Sequence, residues 1–127
     1  AKYHRVEPTI YSFIGENVQI FADPLIEKVF ENLIDNTIRH GKGVQSVCFR
    51  SERRNGDLYV LYEDDGGGVP DTEKHKIFEE GFGKNTGLGL FLIKEILAMT
   101  GISICECGEH GKGVRFEMYI PQGKWRI

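Results

Sequence analysis

Between positions 25 and 40 the apolar residues recur with a helical period. Leu25, Val29 and Leu33 make one row and Ile26, Phe30, Ile34 and Ile38 a second, together a broad stripe suited to burial. Asp23 stands where an N-cap is needed, Pro24 suits the first helical position, and Gly41 follows His40 as a stop. Upstream, the pattern predicts short strands over residues 9–14 and 18–22 with a turn at Gly15-Glu16-Asn17. Downstream, Gly41-Lys42-Gly43 is a loop, and Val47 and Phe49 alternate into a strand ending near Arg54. Asn55-Gly56 is a strong two-residue hairpin signal. Residues 58–62 are nearly all apolar, which predicts a central strand covered on both faces.

Asp64-Asp65-Gly66-Gly67-Gly68-Val69-Pro70 then breaks the strand into a loop, and residues 71–80 leave room for one or two short helical turns. After a glycine-containing connection over residues 81–87, residues 88–99 are apolar nearly all round, which predicts a buried helix. Residues 102–107 and 114–120 predict a closing hairpin around Gly108-Glu109-His110-Gly111-Lys112-Gly113. In its second strand Val114, Phe116, Met118 and Ile120 share one face and Arg115 and Glu117 the other, so one side packs and one is wet. The expected fold is α+β: a two-layer sandwich with helices on one face of a mixed, mostly antiparallel sheet.

Composition narrows this picture. At 127 residues the chain is read as one domain, 1–127, long enough for a real core. It opens Ala-Lys-Tyr-His without an initiator Met and is expected to be cut from a longer protein. A net charge of −3 argues against general nucleic-acid binding. No apolar run approaches membrane-spanning length and no signal-peptide pattern is present, so no membrane contact is expected. Cys48, Cys105 and Cys107 lack zinc spacing and are expected to be reduced and metal-free, in a cytoplasmic setting.

The polar face of the first helix carries Asn32, Asp35, Asn36 and Arg39. Asn is a mediocre helix former, and two in mid-helix cost about 1 kcal/mol relative to Ala. A solvated face of indifferent composition fits; so does a face offering an amide oxygen to Mg²⁺ and a guanidinium to an anion. The helix by itself does not separate these readings. Gly66, Gly67 and Gly68 give up side-chain packing where a strand meets a loop, as a tight turn or a close backbone approach to a flat ligand requires. Asp64 can then accept from an exocyclic amine such as adenine N6. Thr86-Gly87-Leu88-Gly89-Leu90 opens the second helix, whose free N–H groups suit phosphate, with Lys84 just before it. Neither a P-loop nor a Rossmann fingerprint occurs.

Taken as an ordered set, these motifs resemble the ATP-binding catalytic domain of sensor histidine kinases, in the GHKL ATPase superfamily with its Bergerat-type fold. Asn32-Leu33-Ile34-Asp35-Asn36 resembles the family's N box and Asp64-Asp65-Gly66-Gly67-Gly68-Val69-Pro70 its G1 box. Ile77-Phe78-Glu79-Glu80-Gly81-Phe82 resembles the F box and Gly87-Leu88-Gly89-Leu90 the G2 box; the resemblance runs from about residue 20 to 121.

The resemblance implies that Asn36 coordinates Mg²⁺ and that Asn32 stands where related ATPases keep a catalytic Glu. Arg39 would meet the phosphates with His40 close by, and Lys84 would belong to the mobile ATP lid. Asp64 would hold adenine N6, Gly66 and Gly68 would shape the pocket, and Gly87 and Gly89 would bind phosphate. Val69, Ile77, Thr86 and Leu88 complete the implied nucleotide site. Implied partners are a helical dimerisation domain carrying the phosphoacceptor histidine and a response-regulator receiver domain, in a homodimeric full-length protein. Three departures stand out: Thr37 in place of the usual Ala, a change expected to be tolerated; Val114 where many members carry Thr; and a short lid over residues 82–87. The alternatives are a hydrolytic ATPase of the gyrase or chaperone type, an anti-sigma-type protein-serine kinase, and a degenerate, non-catalytic interaction module.

Overall fold

The computed structural model describes residues 19–20, 25–40, 43–44, 46–79 and 89–126. The expected strand over 9–14, the N-cap at Asp23 and the connection over 81–87 lie outside them. In chain order the elements are β1 (Gln19–Ile20), α1 (Ile26–His40), β2 (Val47–Arg54), β3 (Asp57–Asp64), α2 (Gly89–Ala98), β4 (Ser103–Glu106), β5 (Arg115–Ile120) and β6 (Trp125–Arg126). Two 3₁₀ turns, Asp71–Glu73 and Lys76–Phe78, fall in the loop after β3, where one or two helical turns were expected.

Four strands form one sheet in the order β2-β3-β5-β4, and β1 and β6 form a two-stranded ribbon. Every pairing among the described residues is antiparallel. The β2–β3 hairpin turns at Asn55 (φ 53°) and Gly56 (φ 89°), the paired left-handed residues of a tight hairpin whose twist matches its strands. Its register places Phe49 opposite Tyr62 and Val47 opposite Asp64.

One core lies between the sheet and the helices. α1 contributes Val29, Phe30, Leu33 and Ile34; β3 contributes Leu58, Val60 and Tyr62; β5 contributes Phe116, Met118 and Ile120; α2 adds Ile93 and Leu97. The last turn of α1 departs from the expected stripe. Ile38 is 41% exposed, while Thr37, seven residues on from Phe30, is buried. A polar residue therefore occupies the core position.

Two further expectations are corrected. α2 is not buried all round: Leu92 and the following Met99 are exposed, because in a two-layer sandwich only one face of a helix meets the sheet and α1. Nor, among the described residues, do helices cover both faces of β3. Its outer residue Leu61 is fully buried, in register with Arg50 on β2 and Glu117 on β5, within a lattice of ion pairs. Arg50 reaches Glu63 at 3.2 Å and Glu52 at 3.1 Å, and Arg54 reaches Glu52 at 2.6 Å. Arg115 closes the lattice onto Glu117 at 3.3 Å. The alkyl stems of such side chains shield apolar surface while their heads stay wet.

Candidate functional site

Asp64 is the last residue of the central strand, with its carboxylate on the core side of the sheet and only 8% of the residue exposed. Buried charge is costly without partners, and the partners are present. Oδ1 accepts from Gly66 N (2.9 Å) and Val114 N (3.1 Å), and Oδ2 accepts from the Thr37 hydroxyl (2.9 Å). The Asp64 backbone N–H returns a bond to the Val114 carbonyl at 3.1 Å. A carboxylate has about four acceptor positions. Three are filled, and the remaining capacity is on Oδ2.

The glycines divide their duties. Gly66 gives its N–H to Asp64, closing a tight turn of the Asx kind. Gly67 offers its carbonyl to Gly111 N at 2.8 Å. Gly68 (φ 77°) lies against the β4–β5 hairpin, where an added Cβ would sit 2.9 Å from the Gly113 carbonyl oxygen. The missing side chain at Gly68 therefore serves protein backbone at least as much as a ligand. Gly113 itself (φ 116°) presses on the Asp64 carbonyl, where no Cβ fits.

A buried ion pair fixes the loop that follows. Lys74 Nζ bonds the Glu106 carboxylate and donates to the carbonyls of Val69 (3.2 Å) and Gly108 (2.9 Å). The other Glu106 oxygen accepts from Gly108 N and Arg115 N, both at 3.0 Å. The Glu106 side chain is fully buried, so this satisfaction is obligatory. Val69 packs beside the core, and Ile77, together with Phe78, belongs to it.

On α1, Asn32 turns its amide back to the Lys28 carbonyl at 2.7 Å, and Arg39 Nε is held by Asp35 at 2.8 Å. The half-buried Asn36 amide makes no hydrogen bond among the described residues. Gly89 opens α2 with φ 75°, a left-handed start that only Gly adopts freely. The side chain of His40, and all of Lys84, Thr86, Gly87 and Leu88, lie outside the described residues. Asp64, Gly66, Gly68 and Val69 are brought together at one end of the sheet.

Tyr62, Lys74 and Glu106 were not singled out for this site from the sequence, and Thr37 was named there only as a tolerated change. Thr37 was legible: it falls on the apolar stripe of α1, and a polar group on such a stripe needs a partner. Val114 serves Asp64 with backbone N–H, which its side chain does not affect.

The outer face of the sheet is a different surface. A shallow cavity of about 480 Å³ there is lined by Tyr59, Cys105, Glu117 and Tyr119, among others. The ligand atoms of Cys105, Cys107 and Glu117 lie within 4.8 Å of one another. Glu117, however, is claimed by Arg115 at 3.3 Å and Arg54 at 3.5 Å. Desolvation and the adjacent Glu117 carboxylate push the Cys107 thiol up to about 12. Among the described residues no helix is long and apolar enough to cross a membrane.

A family model described as histidine kinase-, DNA gyrase B-, and HSP90-like ATPase matches residues 22–124. Among curated proteins, the alginate biosynthesis sensor protein KinB of Pseudomonas aeruginosa is 35% identical over 101 residues, covering 76% of this chain and 17% of KinB. The sensor protein SrrB of Staphylococcus aureus is 29% identical over 121 residues, covering 88% of this chain and 21% of SrrB. The chain thus spans about a fifth of the length of these relatives. Among solved structures, the catalytic domain of histidine kinase ThkA superposes with a TM-score of 0.64 at 31% identity, over 80% of this chain and 70% of that one. Full-length ShkA, solved in complex with AMPPNP, shares the fold with a TM-score of 0.66 at 23% identity, over 76% of this chain and 21% of its own.

Proposed function

Because the chain belongs to the family of histidine kinase-, DNA gyrase B-, and HSP90-like ATPases, we propose that it binds Mg-ATP and donates the γ-phosphoryl group to a histidine on a separate helical dimerisation domain. In this reading the phosphoryl group then passes to a response-regulator receiver domain, and the full-length protein is a homodimer whose catalytic part faces the cytoplasm. The observation that carries the reading is the Asp64 carboxylate: buried, held by three donors, with acceptor capacity left for one more. An adenine N6 amine is the matching donor.

Phosphoryl transfer asks the protein mainly for positioning and charge neutralisation. Asn36 fits a metal ligand of the Mg²⁺ type, since its amide is uncommitted among the described residues while the neighbouring Asp35 is paired with Arg39. Mg²⁺ would supply neutralisation of the phosphate oxygens. Arg39 and Lys84 bring positive charge, and the α2 N-terminus at Gly89 brings free N–H groups. Asn32 supports transfer over hydrolysis. Hydrolytic relatives need a general base at this position, and here an amide is turned onto its own helix at 2.7 Å.

Calorimetry with ATP and GTP tests the reading. ATP is expected to bind more tightly, and Asp64→Asn to weaken it by about 1.5–3 kcal/mol, the worth of a hydrogen bond to a charged group. Equal affinity for the two nucleotides, or no change on substitution, overturns the adenine assignment. Absence of any nucleotide binding leaves the interaction-module alternative standing.

A further inference from the structure

Thr37 sits on the buried stripe of α1 with its hydroxyl between two other polar groups, Tyr62 Oη at 2.5 Å and Asp64 Oδ2 at 2.9 Å. All three residues are buried, Tyr62 completely. The proton order follows from the donor inventory. A carboxylate only accepts, so Thr37 spends its single proton on Asp64. Tyr62 must then donate to Thr37, which is its one hydrogen-bond partner among the described residues. The relay runs one way, from Tyr62 through Thr37 to Asp64.

The relay acts on how the carboxylate reads a ligand. Oδ1 is occupied by two backbone N–H groups, those of Gly66 and Val114. Thr37 adds a third restraint on the other oxygen, so the group cannot turn about its Cβ–Cγ bond without losing bonds at both ends. One acceptor direction remains. A ligand that offers an amine there completes the set, and one that offers a carbonyl meets oxygen against oxygen. Without the Thr37 hydroxyl, Oδ2 would have two open positions and the carboxylate would be held at Oδ1 alone, so a water could replace the amine at little loss.

We propose that Thr37 and Tyr62 are positioning residues which fix Asp64 as a reader of the adenine amino group, so that base selectivity is set from inside the core by a hydroxyl relay. This rests on the reading of Asp64 as the adenine contact. It gives a role to the position that the sequence presented as a tolerated change.

The test compares Mg-ATP with the triphosphate of purine riboside, which lacks the 6-amino group, by calorimetry on the whole chain. Wild type is expected to prefer ATP. Thr37→Val, which keeps the shape and removes the hydroxyl, is expected to lose about tenfold in ATP affinity, as for one hydrogen bond to a charged group, and to bind the deamino analogue unchanged. Thr37→Ser should restore the preference, and Tyr62→Phe should reduce it in the same direction, which keeps the test open if the valine variant does not fold. A wild type that binds both ligands alike overturns the adenine reading, and the relay with it. A wild-type preference that survives in Thr37→Val and Tyr62→Phe overturns the relay alone. So does an equal loss for both ligands in Thr37→Val, the mark of a merely structural hydroxyl.

Discussion

Asp35 and Asn36 are neighbours on α1 with opposite commitments. The Asp35 carboxylate takes Arg39 Nε at 2.8 Å across one helical turn, with both side chains more than a third exposed, so the pair itself contributes only about 0.2–1 kcal/mol. Asn36 is half-buried and its amide is uncommitted among the described residues. Adjacent helical residues point about 100° apart, so one ligand cannot use both. Asn36→Ala is therefore expected to abolish the Mg²⁺ dependence of nucleotide binding, and Asp35→Ala to leave it largely intact, in titrations with and without the metal. The reverse pattern would place the metal on Asp35. The polar face itself was legible in the sequence, but not which of its members were already engaged. Asn32 looks as available as Asn36 until its bond to the Lys28 carbonyl is seen. Side-chain commitment depends on rotamers and neighbours, which spacing does not encode.

At the scale of elements, the loop after β3 and the β4–β5 hairpin are bound through Lys74 and Glu106, which lie 32 residues apart. Removing one member of a buried pair strands the other, at a cost of about 3–5 kcal/mol. Lys74→Met should thus lower the denaturant midpoint sharply, whereas Lys112→Met, at the exposed Lys112–Glu109 pair of the same hairpin, should stay within about 0.5 kcal/mol of wild type. Equal effects of the two substitutions would deny the buried pair its role. The sequence presents both lysines alike, as charges in polar loops. Where local rules act alone, the elements were legible: Asn55-Gly56 demands its turn, and the alternation of Arg115 to Ile120 gives β5 its two faces. Where burial depends on a second layer they were not. Met99 is 57% exposed at the end of an apolar helix, and Leu61, on the outer face, is fully buried in register with Arg50 and Glu117, with no described helix over it. Periodicity reports which residues are apolar, not what covers them.

For the whole molecule, the expected behaviour is binding without self-labelling. Among the described residues His75 and His110 are exposed on loops and His40 ends α1, so none is borne on a separate helical domain. Incubation with radiolabelled ATP should give no acid-labile phosphoprotein, and adding a cognate helical domain should produce one. Stoichiometric labelling of the chain alone would overturn the proposed division of labour. The pressing of Gly113 onto the Asp64 carbonyl has a last consequence, for the order in which this molecule comes into being. The Asp64 carboxylate is held from positions 37 and 114, so its setting is complete only when distant parts of the chain have met. Such contacts form late, because loop closure must precede them. A ligand seated there selects against every incomplete state at once, and raises the melting temperature of the molecule as a whole. A substitution that lowers the population of the docked hairpin will register as weak nucleotide binding, though it touches no nucleotide.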